Sequence, residues 1–129
     1  DGTENTPANM YTQKMFEVQS HATMTNHGYL GYAVISNARF WKGLPADIRT
    51  SLERAIADTT PIANRLALEE NESALKEMKL AGTTTFHEPT PEERAAWIDA
   101  LTPVHDEMAD RVGRDLIDRI YAATGRLTQ

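Results

Sequence analysis

One apolar run limits the folds open to this chain more than any other feature. The run Leu30–Ser36, LGYAVIS, follows the polar and aromatic stretch Asn26–Tyr29. A continuous apolar run of this length is typical of a β-strand covered on both faces. Such a strand needs neighbours for its backbone donors and acceptors, and Thr83–Phe86 is the second predicted strand. The sequence therefore predicts either a part of a larger α/β protein or a chain that pairs with a second chain.

A long helix is predicted from Pro45 to about Ala81. Apolar residues recur there mostly at steps of three, four or seven, which gives one apolar stripe along the helix. Pro61 should kink or interrupt this helix near Thr59-Thr60, because it removes a backbone donor and crowds the preceding turn. Gly82 is expected to end it. The fold class is therefore α/β and helix-rich.

Further helices are predicted on both sides of the long one. Thr90-Pro91-Glu92-Glu93 has the residues of a capping box with proline in the first turn, so a helix should begin there. Thr102-Pro103 either starts another helix or kinks this one, and Gly125 should end the last helical run. Ala8–Gln19 fits a short helix or an extended segment equally well, and Ser20–Gly28 is polar and is predicted as a loop.

Composition and motifs exclude several classes of function. The net charge of −6 argues against a nucleic-acid-binding protein, which needs a basic surface, but it permits a small anionic ligand. The chain has no cysteine, no HExxH and no histidine pair at the helical i, i+4 spacing, so no metal site is predicted. It also lacks GxGxxG and GxSxG motifs. We therefore expect no cofactor and no enzymatic activity; an acid–base enzyme that uses His27 or His105 with a carboxylate is the least favoured of the hypotheses.

Three short motifs, in order and spacing, carry a resemblance to a known family. They are DGTEN at 1–5, NHGY at 26–29 and FWKGLP at 40–45. The chain resembles, from Asp1 to about Gly125, the C-terminal half of TRAP-transporter substrate-binding proteins of the DctP type. The resemblance implies a two-lobed periplasmic binding protein, whose α/β lobes are joined by strands and by a long helix and close on a carboxylate.

The same resemblance implies a division of the single fragment 1–129 into three parts. Residues 1–29 would be a segment of the ligand-binding lobe. Residues 30–82 would be a hinge-crossing strand and the long spanning helix, kinked at Pro61. Residues 83–129 would be a strand and the C-terminal helices.

Three ligand-binding residues are implied by the resemblance. Asn5 matches the family's asparagine after Asp-Gly-x-Glu, and His27 matches its histidine after Thr-Asn. Tyr32 falls where some members place a polar side chain facing the ligand. The family's ligand-clamping arginine lies upstream of the residues present here. The chain has Asn5-Thr6-Pro7 where members often have Asn-Pro, so the loop that presents Asn5 is expected to differ.

The resemblance implies the solute-binding subunit of a TRAP-type secondary transporter, located in the periplasm. It would capture a small carboxylate, with a C4-dicarboxylate as the expected ligand, by lobe closure. Its partners would be that ligand, the membrane subunits of the transporter and either the N-terminal part of the same protein or a second chain, with no nucleic acid. The alternative from the residues alone is a non-catalytic helical interaction module or an intertwined oligomer.

Overall fold

The computed structural model of the chain describes residues 2–125. Asp1 of the DGTEN motif and the last four residues of the predicted segment 83–129 lie outside this range. The chain divides into two compact units between His87 and Glu88. The first unit contains α1 (Pro7–Thr12), a 3₁₀ turn (Met15–Glu17), β1 (His21–Thr23), α2 (Ala38–Gly43), α3 (Ala46–Ala81) and β2 (Thr85–His87). The second contains α4 (Pro91–Glu107), α5 (Ala109–Val112) and α6 (Arg114–Thr124). The predicted helix-rich α/β class is confirmed.

The long helix α3 forms as its apolar stripe predicted. It runs for 36 residues, and Pro61 lies inside it without ending it. The hydroxyls of Thr59 and Thr60 each donate to the backbone carbonyl four residues earlier, in the turn that the proline crowds. Gly82 ends the helix with φ 68°, a left-handed conformation that glycine adopts without steric cost.

The core of the first unit lies between α1 and the C-terminal third of α3. Met78 is fully buried there and Ala74 nearly so. The Oδ1 atom of Asn71, on the same helix, accepts a hydrogen bond of 3.0 Å from the backbone N–H of Ala8. Because this bond satisfies one of the unpaired N–H groups of the first turn of α1, it fixes α1 on α3 in position as well as by apolar contact.

β1 and β2 form a two-stranded parallel sheet, with the register His21↔Thr85, Ala22↔Phe86 and Thr23↔His87. The sequence predicted β2 but assigned β1 to a polar loop. That assignment is wrong. Three alternating polar and small residues carry no strand signal of their own, and the strand forms by pairing with residues 64 positions away. The buried hydroxyl of Thr84 lies 2.9 Å from the carbonyl of Phe16 and 2.7 Å from that of Gln19, which ties the start of β2 to the turn before β1.

The predicted strand Leu30–Ser36 does not form in the described chain. Residues 24–37 carry no regular secondary structure, and Tyr32, Val34 and Ile35 are 93%, 85% and 88% exposed. The physical reason is the missing partner: an apolar run signals burial, but a strand needs an adjacent backbone to bond to. The three-part division, including the hinge role of this segment, stays a prediction.

The length of α3 limits how residues 24–45 can be folded. β1 pairs with β2, and β2 begins only a few residues after the C-terminal end of α3. β1 therefore lies near that end, whereas the chain that leaves β1 must travel to the N-terminal end of α3. A helix of 36 residues is about 54 Å long, whereas residues 24–45 coiled as a helix would cover only about 33 Å. The lack of helix at residues 24–37 is therefore a consequence of the length of α3.

In the second unit, the capping box predicted at Thr90 is confirmed. The Thr90 hydroxyl accepts from the backbone N–H of Glu93, and the Glu93 carboxylate accepts from the backbone N–H of Thr90 at 2.8 Å. Of the two alternatives at Thr102-Pro103, a new helix is excluded, because α4 continues through Pro103 to Glu107. Gly125 ends α6 in a left-handed conformation, as predicted.

Side-chain bonds join α4 to α6 within this unit. His105 and Tyr121 are hydrogen-bonded through Nδ1 and Oη, and Ile117 is buried. Arg114 bridges Asp106 and Asp118. The hydrogen bond to Asp106 is the largest cause, and the charge of Asp118 the next, of a pKa of the guanidinium above its ordinary value.

A helix that crosses a bilayer must be both long and mostly apolar. None of the helices between residues 2 and 125 combines these two properties.

Replacing Met78 by alanine should test the core between α1 and α3. We expect a loss of about 2–5 kcal/mol in the free energy of unfolding, because the side chain is fully buried and leaves a cavity. Leu80→Ala is the matched control on the same helix: its side chain is 70% exposed, so the loss should be within about 0.5 kcal/mol. Urea unfolding measures both, and equal losses would contradict this assignment of the core.

Candidate functional site

Asn5 presents an amide group in a fixed orientation just before α1. Its Oδ1 atom accepts hydrogen bonds of 2.9 Å from the backbone N–H of Thr6 and from Nδ2 of Asn9. A backbone N–H can only donate, so the oxygen must face Thr6 and the NH₂ group must face away from it. The half-buried Asn5 side chain is therefore a preset hydrogen-bond donor, which is the group that a carboxylate oxygen requires.

Thr6 contributes directly to this orientation. The sequence predicted a local difference, because family members often have proline directly after the asparagine. A proline there would have no N–H to donate to Asn5. In this chain Thr6 supplies that N–H, and Pro7 moves to the first position of α1, where the lack of an N–H costs nothing.

His27 is directed by a tight turn that follows β1. The backbone N–H of Thr25 donates to the carbonyl of Thr23 at 3.0 Å, and Asn26 has a positive φ of 46°. Asparagine tolerates this left-handed conformation better than most residues. The turn places Nδ1 of His27 2.7 Å from the hydroxyl of Thr25.

Glu4 brings His27 and the Asn5 loop together. Its Oε2 atom lies 2.7 Å from Nε2 of His27. An ionised carboxylate only accepts hydrogen bonds, so Nε2 carries the proton in this contact and both ring nitrogens have partners. The two side chains are 52% and 72% exposed, and an exposed pair contributes less than about 1 kcal/mol to stability. The contact therefore acts mainly by positioning the imidazole.

The structure brings together two of the three predicted site residues. The Glu4 side chain, next to Asn5 in the chain, contacts His27 and so joins the Asn5 loop to it, whereas Tyr32 lies on the irregular segment and is 93% exposed. Glu4 and Thr25 were missed by the sequence analysis. Glu4 had a signal, since it stands beside Asn5 in the DGTEN motif, but its partner lies 23 positions away and no local pattern indicates it. The role of all three predicted residues in ligand binding stays a prediction.

A metal site needs several histidine, cysteine or carboxylate side chains close together. In residues 2–125 no three histidine, aspartate or glutamate side chains are grouped so that they could hold a metal ion.

Comparison with known proteins places these features in a wider context. Residues 1–111 match the profile of the bacterial extracellular solute-binding proteins, family 7, known as DctP. The chain is 67% identical over 124 residues to the C4-dicarboxylate-binding periplasmic protein DctP of Rhodobacter capsulatus. The matched region covers 96% of this chain and 37% of that protein.

Two solved structures are similar in fold as well as in sequence. A TRAP periplasmic solute-binding protein from Shewanella oneidensis with bound succinate gives a TM-score of 0.90 at 38% identity, over 95% of this chain and 40% of that one. A second, from Sulfurospirillum deleyianum and also with bound succinate, gives 0.77 at 35% identity, over 90% and 39% of the two chains. The chain thus spans little more than a third of the length of these relatives.

Together, the fold, the donor and imidazole at one loop edge and these likenesses define the class, which is that of the bacterial extracellular solute-binding proteins. The chain belongs to family 7 of that class, the DctP family. The family predicted from the motifs is confirmed.

Thr25→Val should release one side of the His27 imidazole. We expect the ring to sample more than one orientation, because Nδ1 loses its hydroxyl partner while the contact with Glu4 remains. The imidazole ¹⁵N and ¹³C resonances of His27 should shift and broaden. Ser20→Ala is the matched control, since it removes the hydroxyl 3.0 Å from Nδ1 of His21 instead. Unchanged His27 resonances in Thr25→Val would show that Thr25 does not position the ring.

Proposed function

We propose that this chain is part of the periplasmic solute-binding subunit of a TRAP-type secondary transporter, and that the whole subunit binds a C4-dicarboxylate. The observation that carries the proposal is the contact of His27 with Glu4, the neighbour of Asn5, in a chain 67% identical to a protein named for C4-dicarboxylate binding. Succinate, which is bound in two similar structures, is the first ligand to test.

Asn5 is the direct hydrogen-bond donor in this proposal. A dicarboxylate loses strongly bound water when it enters a binding site. The site must replace that water with hydrogen-bond donors that are already oriented. Thr6 and Asn9 hold the Asn5 oxygen and thereby direct its NH₂ group elsewhere. No rotation of the amide is then needed when the ligand arrives, which reduces the entropic cost of binding.

His27 forms the neighbouring wall of the site. Glu4 and Thr25 occupy its two ring nitrogens, so the imidazole is oriented but its charge, when protonated, is balanced by the adjacent carboxylate. His27 and Glu4 therefore define the shape of the site, and they contribute little positive charge to a dianionic ligand. The main positive charge for the ligand would come from outside this chain, in keeping with the upstream arginine of the family, which can pair with a carboxylate through two hydrogen bonds.

The proposed mechanism is binding followed by lobe closure, with no covalent step. The chain would contribute one side of the cleft, and the remainder of a longer protein would contribute the other. Closure removes water from the carboxylates and strengthens each hydrogen bond made to them. The closed protein would then deliver its ligand to the membrane subunits of the transporter. Tyr32 would reach the cleft only when its segment is covered by the other lobe.

Asn5→Asp, made in the full-length subunit, tests this assignment. The substitution keeps the oxygen that accepts from Thr6 and Asn9 but replaces the NH₂ donor with a second, negatively charged oxygen. We expect succinate affinity, measured by calorimetry, to fall by at least 100-fold, because a lost donor and a facing like charge together cost about 3 kcal/mol or more.

Asn37→Asp is the matched control for this experiment. Asn37 caps α2 by accepting from the backbone N–H groups of Arg39 and Phe40, a role that aspartate performs equally well. Its succinate affinity should equal that of the wild type. If Asn5→Asp binds succinate as tightly as Asn37→Asp, Asn5 is not a ligand donor.

A further inference from the structure

We propose that Asn71, on the long helix α3, is a positioning residue for Asn5, the direct donor in the proposed function on which this inference rests. Asn71 does not touch the ligand. It acts through α1, because it fixes the short helix whose first residues hold the Asn5 amide. The inference therefore joins the interior of the first unit to the hydrogen bond that the ligand is expected to accept.

The Asn71 side chain has a backbone partner at each end. Its Oδ1 atom accepts from the backbone N–H of Ala8 at 3.0 Å, and its Nδ2 atom donates to the backbone carbonyl of Ala67 at 2.8 Å. A backbone N–H only donates and a carbonyl only accepts, so the orientation of the amide is unambiguous. The NH₂ group ties the side chain to its own helix, and the oxygen ties that helix to α1.

Asn71 lies on the face of α3 that forms the core. Ala74 and Met78, both buried, follow it by three and seven residues, which is the spacing of one helix face. Apolar contacts at this face hold α1 against α3, but apolar attraction has no direction and does not fix where one helix lies along another. A hydrogen bond from a half-buried amide requires a particular distance and angle. Asn71 therefore sets the register of α1 on α3.

The helix α1 depends on its neighbours for its place. It has six residues, and an isolated helix of that length is not stable in water. Thr6 and Asn9 hold the Asn5 oxygen. Ala8, which Asn71 binds, stands between them in the chain. A displacement of Ala8 along α3 therefore carries both partners of the Asn5 amide with it.

The position of a hydrogen-bond donor matters for binding as much as its presence. A binding group must be held within about 0.5 Å of its productive position, and a hydrogen bond weakens steeply when it is misaligned. A carboxylate held on its other side by the rest of the protein cannot follow a displaced donor. Loss of the Asn71 anchor therefore lowers the affinity without removing any group that contacts the ligand.

The first test compares succinate affinities by calorimetry on the full-length subunit. We expect Asn71→Ala to weaken binding about fivefold, the effect of one poorly placed hydrogen bond. Asn64→Ala is the matched control: Asn64 is exposed on the same helix, so this variant should bind as the wild type does. Asn71→Ser keeps the test valid if Asn71→Ala does not fold. Its hydroxyl ends one bond short of the position of Oδ1, so it should show the same loss.

A double-mutant comparison separates positioning from a general loss of stability. In a protein that already carries Asn5→Ala, the donor that Asn71 positions is absent. Asn71→Ala should then weaken succinate binding by less than about twofold, because the two changes act on the same hydrogen bond. An equal loss in both backgrounds would show that Asn71 acts on something other than Asn5.

The Asn5 side chain provides a second readout, in the protein without ligand. Asn5→Asp identifies the Asn5 NH₂ resonances in a ¹H–¹⁵N spectrum by removing them. These resonances should shift and broaden in Asn71→Ala. Asn71→Asp keeps the oxygen that accepts from Ala8, so it should leave them near their wild-type positions. Unchanged resonances in Asn71→Ala would contradict the positioning role.

The outcomes separate the inference from the proposed function. A wild type that binds succinate, with the same affinity in Asn71→Ala, overturns the role of Asn71 and leaves the function intact. A wild type that binds neither succinate nor any other small carboxylate overturns the proposed function, and the role of Asn71 in binding with it.

Discussion

The parallel pairing of β1 with β2 is the constraint on which the first unit depends. Two adjacent parallel strands cannot be joined by a tight turn, so the chain must leave β1, travel and return through a crossover. Here the returning element is α3, at 36 residues much longer than a crossover requires. One end of that helix is anchored beside a sheet of two short strands. The burial of Met78, the bonds of Thr84 and the non-helical connection at residues 24–37 all follow from this.

Local signals in the sequence predicted the helices well. The capping box at Thr90, the stop at Gly82 and the apolar stripe of α3 each depend on residues within a few positions of one another. Pairing over long distances was not predictable in the same way. β1 has three residues and one partner far along the chain, and the apolar run Leu30–Ser36 indicates burial without saying against what.

The candidate site shows the same limit. Asn5 and His27 could be selected from the sequence because they stand in motifs of a known family. Their arrangement could not, since it depends on Glu4 reaching His27 and on Thr6 turning the amide of Asn5.

The extended segment between β1 and α3 has a mechanical consequence. A chain that already uses most of its contour length behaves as a tether, which transmits a pull but slackens under a push. One end of this segment follows His27, and the other end is the start of α3. The start of α3 lies about 54 Å from the C-terminal end of the same helix, which is the end near the sheet. An increase in that distance would therefore pull on the turn that orients the His27 imidazole. Bending of α3 at Pro61 would shorten the distance and release the tension in the segment.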